Sequence, residues 1–165
     1  AIWSNTNSVA LTDSRGNPYV NVGAPVAWGS GYSAQVFYAS NVAGGADVIT
    51  ASFRTSVNSF GVLYVHEYAG ISKTNPVDVT SSAVGTSASL NSGPITTTSP
   101  NDLIFGAGVS DDSVTGGGSG FSVRDLSYGN ITEDRVAAST GSYAATATHS
   151  GNRWAMQVVA FRAAQ

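Results

Sequence analysis

Apolar and polar residues alternate with a period of two along most of this chain, most clearly in "VLYVHEY" (62–68), "VDVTSSAV" (77–84) and "AMQVVAFR" (155–162). That period, combined with β-branched and aromatic residues, belongs to strands with one side buried, because successive side chains in an extended backbone point to opposite faces. The pattern predicts strands at 9–11, 19–22, 34–39, 47–53, 61–68, 77–84, 93–97, 102–108, 121–126, 131–137, 142–148 and 153–162, and no significant helix. Between them lie turn signals: Asp13-Ser14-Arg15-Gly16-Asn17-Pro18, Gly44-Gly45-Ala46-Asp47, Ser99-Pro100-Asn101-Asp102 and Gly151-Asn152. Gly and Asn tolerate positive φ, Pro presets φ near −65°, and Asp and Asn bond to nearby backbone.

Many short strands separated by such turns predict an all-β chain and exclude alternating βαβ units. The expected architecture is one antiparallel β-sandwich, jelly-roll-like, of about 10–12 strands. With 165 residues and no break in composition, a single domain spanning 1–165 is expected. "SDDSVTGGGSG" (110–120) reads as one low-complexity loop. At the start, "AIWSNTN" offers only Ala1, Ile2 and Trp3 before loop chemistry takes over, so the first strand is expected to be incomplete. An incomplete strand leaves backbone groups without a partner, and such an edge recruits strands from other chains. Ala1, Ile2 and Trp3 are therefore the expected assembly edge.

Charge narrows the partners. Charged residues make up 10% of the chain, and the seven basic residues are scattered against ten acids for a net charge of −3. No basic stripe exists to neutralise phosphates, so nucleic acid is not an expected partner. Nor does any run approach the roughly 18 apolar residues of a membrane helix, so no insertion in a membrane is expected. Cysteine is absent, which removes disulfides, thiolate metal sites and cysteine nucleophiles.

Candidate chemistry is sparse. His66 and Glu67 are adjacent, yet in a strand their side chains point apart: Val62, Tyr64, His66 and Tyr68 share one face, Leu63, Val65, Glu67 and Ala69 the other. Glu67 keeps apolar company and is expected to be a buried structural carboxylate bonded to the following turn. A hydrolytic triad would need His66 or His149 as base, and neither lies in a nucleophile motif such as GxSxG. Carboxylate pairs for glycoside hydrolysis could be drawn from Glu67, Glu133 or the aspartates, with nothing in their spacing to select one. No metal site is expected; Asp111-Asp112 and Glu133-Asp134 could offer oxygens to calcium, but neither fits the spaced pattern of a calcium loop. "NIT" at Asn130 has the form of a glycosylation acceptor.

Among the aromatics, Phe37, Phe53, Phe105 and Phe161 sit within strand patterns and read as core. Trp28 and Tyr32 lie in the turn-rich "VAWGSGYS", where rings could stack on a sugar or a partner protein, with Tyr19 as a third member of the platform, or where Trp28 could fold back as a lid over the end of the sandwich.

The segments "TDSRGNPY", "FYASNVAGGADVITASF", "VHEYAGISKTNPVDVT", "TTTSPNDLIFGAG" and "MQVVAFR" together resemble, in order, a β-sandwich module that recurs in secreted and cell-surface multidomain proteins of environmental bacteria. The resemblance implies a sandwich fold and a location outside the cell or at its surface. It also implies an apolar strand ahead of the position of Trp3, which is missing here, and it carries no catalytic residues. The functional expectation is a non-catalytic structural subunit of a fibre-like or surface assembly, made with copies of itself. A carbohydrate-binding module acting on polysaccharide through Trp28, Tyr32 and Tyr19 is the alternative, and a glycoside-active enzyme a remote one. No cofactor is expected.

Overall fold

The residues 102–110 and 154–161 alternate not between inside and outside but between two interiors. The computed structural model describes residues 1–57 and 59–165. Among these, the strands in chain order are β1 (Ile2–Trp3), β2 (Val9–Asp13), β3 (Val20–Trp28), β4 (Tyr32–Tyr38), β5 (Ile49–Phe53), β6 (Gly61–Val62), β7 (Val77–Gly85), β8 (Ser89–Asn91), β9 (Ile95–Thr96), β10 (Asp102–Ser110), β11 (Val114–Gly117), β12 (Ser122–Asp125), β13 (Ile131–Ala137), β14 (Ser142–Tyr143), β15 (Thr146–His149) and β16 (Trp154–Phe161). A 3-10 turn at Ser127–Gly129 is the only helical segment among the described residues, so none is long and apolar enough to cross a membrane.

The fold is all-β, and every strand pairing is antiparallel. A five-stranded sheet in the order β12-β13-β10-β16-β7 forms the centre. Ile104 of β10 and Trp154, Met156, Val158 and Ala160 of β16 face a cluster with Leu90, Ile95, Val114 and Ala147, supplied by the sheet β11-β15-β8 and the pair β14-β9. Val109, Ala155 and Val159 of the same two central strands face the other way, onto Ile2, Trp28, Ala34, Val22 and Val36 of the sheet β3-β4-β1-β6. The central strands are thus buried on both sides, and the two-layer sandwich expected from the sequence gains a third layer.

Glycine makes the close layer possible. A Cβ on Gly108 would stand 2.5 Å from Met156 Sδ and 2.9 Å from Ile131 and Leu90, and one on Gly106 would stand 2.7 Å from Ala145 Cβ. Without side chains there, β8 and β15 can pack directly onto β10.

Several segments depart from expectation. β3 runs on to Trp28 because the break in its pairing with β4 between Val22 and Val26 absorbs Gly23 and Pro25 as a bulge. Within the expected low-complexity loop, β11 pairs with β15, again across a bulge. The expected strand 142–148 divides into β14 and β15, which belong to different sheets. Among the described residues, the expected strand 61–68 pairs at Gly61 and Val62 alone.

Candidate functional site

The expected open edge at Ala1, Ile2 and Trp3 is not an edge: β1 lies inside its sheet, with Ile2 opposite Ala34 on one side and Val62 on the other. Ile2 and Trp3 are buried, Trp3 completely, with its ring 6.2 Å from Phe53 and its Nε1 donating to Asn7 O. The physical reason is apolar area: an indole and an isoleucine gain more between two strands than on a rim.

The gap lies further along. The ladder between β1 and β4 ends where Ala1 N donates to Gln35 O at 2.8 Å and Gln35 N to Ala1 O at 2.9 Å. β4 continues through Val36, Phe37 and Tyr38, paired there, among the described residues, with β3 alone. Facing it, Leu63–Ala69 makes no backbone hydrogen bond among the described residues. Between these two walls lies a cleft of about 560 Å³, floored by Leu103, Phe105, Ala107 and Phe161 of the central sheet. The loop 40–45 and the turn bearing Asn17 and Tyr19 close its far end.

Side chains hold the Leu63–Ala69 wall in place. Tyr64 Oη donates to Ser127 O at 2.8 Å and accepts from Asn130 Nδ2 at 2.9 Å. Tyr68 Oη donates to Asp134 Oδ2 at 2.6 Å, and Asp134 also receives both Arg124 Nε and Nη2, at 2.7 and 2.8 Å. The His66 ring lies 5.5 Å from that of Phe105, and its Nε2 is buried with no hydrogen-bond partner among the described residues. Burial holds the His66 pKa below its ordinary value. Burial pushes Tyr64 and Tyr68 up, and for Tyr68 the neighbouring Asp134 adds to it. Burial alone would raise Asp134, but its hydrogen bonds from Arg124 and Tyr68 prevail and hold it low. The wall therefore hangs on alternate aromatic side chains, the face predicted from the sequence, while its backbone stays unengaged.

The other expected site residues lie as follows. Glu67 is exposed on the wall and makes no hydrogen bond among the described residues, contrary to the expected buried carboxylate. Its face looks away from the central sheet, where leucine and valine neighbours did not guarantee cover. Trp28 ends β3 and is only 5% exposed, its ring 5.1 Å from that of Tyr32, which stacks in turn on Phe60 at 5.5 Å. It is thus a core residue and not an exposed loop platform. Tyr19 stands apart at the mouth of the large cleft, donating to Asp13 Oδ2, while Trp28 and Tyr32 line a separate cavity of about 420 Å³. Asn130 is buried, its amide spent on Tyr64.

The acids and histidines singled out from the sequence do not converge on one another. Asp111 is engaged by the backbone N–H groups of Asn152 and Arg153 at 2.8 and 3.0 Å. Glu133 and Asp134 point to opposite faces of β13, Glu133 accepting from Gly118 N at 2.7 Å and Asp134 bound to Arg124. No group of three or more His, Cys, Asp or Glu residues comes together to hold a metal among the described residues. His149 Nδ1 lies 2.7 Å from Ser110 Oγ and its Nε2 2.7 Å from Ser87 O. A backbone carbonyl, not a carboxylate, orients that ring, and the trio stitches β10, β15 and the turn before β8 together.

One cluster escaped the sequence reading. Asp78 receives Thr98 N at 2.6 Å, Thr98 Oγ1 at 2.5 Å and Arg162 Nη2 at 2.6 Å, while Asp102 is fully buried beside it, with the Ala163 backbone N–H as its nearest donor. Burial and the hydrogen bond to the Asp78 carboxyl push Asp102 up to about 6. A protonated Asp102 can donate its O–H to an ionised Asp78, so that the two buried carboxyls share one proton. Their separation of 24 residues gave no signal in the sequence.

An antiparallel β protein with an apolar-floored cleft between β4 and the Leu63–Ala69 segment is the class these features define. No family model, curated protein or solved structure matches the chain.

Proposed function

We propose that this chain is a non-catalytic structural module of an extracellular or cell-surface assembly, completed by strand or edge contacts between copies. The observation that carries the reading is the cleft of about 560 Å³, with backbone on both walls that makes no hydrogen bond across it among the described residues, and an apolar floor. Backbone N–H and C=O groups flanking an apolar cleft are suited to a third strand, which supplies ladder bonds to both sides and buries its own apolar face. Contacts of this kind repeat head to tail when they do not close, and produce fibres. Val65, 55% exposed, and Val42, at 40%, add apolar area at the rim. Light scattering on the eluting chain, over a wide range of concentration, with electron microscopy of the concentrated material, tests the reading. Growth of oligomers with concentration supports it; a monomer throughout overturns it.

A further inference from the structure

The cavity of about 420 Å³ lies where β3 turns into β4, and its size falls within the range of about 300–1,000 Å³ usual for small-molecule sites. Its lining divides by chemistry. One side is a run of three rings, Trp28 on Tyr32 at 5.1 Å and Tyr32 on Phe60 at 5.5 Å. A Cβ on Gly29 would stand 3.1 Å from Tyr32 Cδ2, so glycine in this turn, at φ +57°, lets the Tyr32 ring lie close against it. The other side is polar, with Ser110, Asp111, Asp112, Asn130 and Tyr128.

Several polar groups of this lining are unspent. The indole N–H groups of Trp3 and Trp154 donate to the carbonyls of Asn7 and Ser87. That of Trp28 is buried and meets no acceptor among the described residues, an arrangement that costs free energy unless something fills it. Asn130 spends its Nδ2 on Tyr64, but its Oδ1 accepts no hydrogen bond among the described residues. Asp111 is taken by Asn152 and Arg153, whereas the Asp112 carboxylate makes no hydrogen bond among the described residues. Tyr128 stands at the rim, 82% exposed, with its backbone in the left-handed region at φ 56°. A bulky side chain is rare in that region, and this one gains little burial in return. The neighbouring Gly129 sets its position: a Cβ there would stand 2.5 Å from Asp112 O, so the turn carrying Tyr128 packs directly on the backbone at Asp112.

We propose that this cavity binds a pyranose ring of a neutral saccharide, stacked on the aromatic side, with hydroxyls shared among the Trp28 N–H, Asn130 Oδ1 and the Asp112 carboxylate, and Tyr128 covering the rim. The unspent groups select the class. The Trp28 N–H calls for a lone pair, which a quaternary ammonium lacks. Asn130 Oδ1 and Asp112 call for donors, which an apolar ring lacks, and the two aspartates repel an anion. Hydroxyls donate and accept, and the C–H face of a pyranose suits the rings. The site is thus a pocket and not the flat platform expected from the sequence, and Tyr19 has no part in it.

The Trp28 indole N–H is its own probe. In the isotopically labelled chain the nuclear magnetic resonance peaks of Trp3 and Trp154, already bonded, serve as references. The chain is titrated with the methyl glycosides of glucose, galactose, mannose and xylose, and with cellotriose, xylotriose and mannotriose. At least one is expected to move the Trp28 peak downfield to saturation while the reference peaks stay in place. Asp112→Ala should weaken that binding about tenfold, the effect of one charge-assisted hydrogen bond. Tyr128→Gly should weaken it about three- to tenfold, yet leave the thermal midpoint unchanged or higher, because glycine adopts positive φ freely. A tyrosine kept for the fold would lower the midpoint when replaced. The inference is overturned if no saccharide moves the peak, if both variants bind as the native chain does, if cyclohexanol binds as tightly as the best saccharide, or if tetramethylammonium binds more tightly.

Discussion

Replacing Asp102 by Asn removes one titrating group from the sealed end of the central sheet. In the folded chain this carboxyl holds its proton up to about pH 6, whereas in the unfolded chain it releases it near 3.8. Between those values the unfolded state binds fewer protons than the folded one, so raising the pH favours unfolding. The stabilising contribution is complete below about pH 3.8 and lost by about pH 6. A difference of about two pKa units, at 1.36 kcal/mol each, amounts to about 3 kcal/mol. Asparagine keeps the shape, can donate to Asp78, and does not titrate. Urea unfolding of both proteins from pH 3.5 to 7 isolates the group, because the other titrations, including the low Asp78 and the buried Ala1 ammonium, are largely common to both. The stability of Asp102→Asn relative to the native chain should improve by about 3 kcal/mol across that range, most of it between pH 4 and 6. Parallel profiles, agreeing within about 0.5 kcal/mol, would refute the assignment of the proton to Asp102.

Gly108→Ala forces a methyl toward Met156, Ile131 and Leu90 and should cost about 1–3 kcal/mol, read from the denaturant midpoint, whereas Gly44→Ala, with nothing within 4 Å, should be near neutral. Trp3→Ala empties a fully buried site between sheets and should cost about 3–5 kcal/mol in the same measurement. Glu67→Ala should change stability by no more than about 0.5 kcal/mol, since the carboxylate is exposed and unengaged; a loss of 2 kcal/mol would restore the structural role expected from its neighbours.

The sequence was most readable where a strand lies in a long ladder. The predicted strands at 77–84, 102–108 and 131–137 match β7, β10 and β13 closely, because alternation and register agree there. It misled where glycine or proline marks a bulge and not a turn, as at Gly23 and Pro25 in β3 and Gly116 in β11. Alternation in "VLYVHEY" identified the two faces correctly, with Tyr64, His66 and Tyr68 held inward, but a period of two says nothing about whether a partner strand exists. The same limit explains Ala1–Trp3: shortness suggested an edge, while the open backbone belongs to Val36–Tyr38 and Leu63–Ala69, whose sequences look complete. Trp28 was misplaced because flanking Gly29 and Gly31 resemble a loop, although they form only the tight connection between β3 and β4. The Asp78–Asp102 pair joins residues from two different strands, a proximity that only the folded chain creates.

The position of β16 has a mechanical meaning. Its eight residues from Trp154 to Phe161 are laddered along one edge to β10 and along the other to β7. Tension drawn through the chain along β16 would load both ladders lengthwise, so that their hydrogen bonds resist in shear together and do not open one at a time. A chain pulled through that strand would carry load at one of its most thoroughly buried elements, and the outer sheet β3-β4-β1-β6 would lie off the line of force.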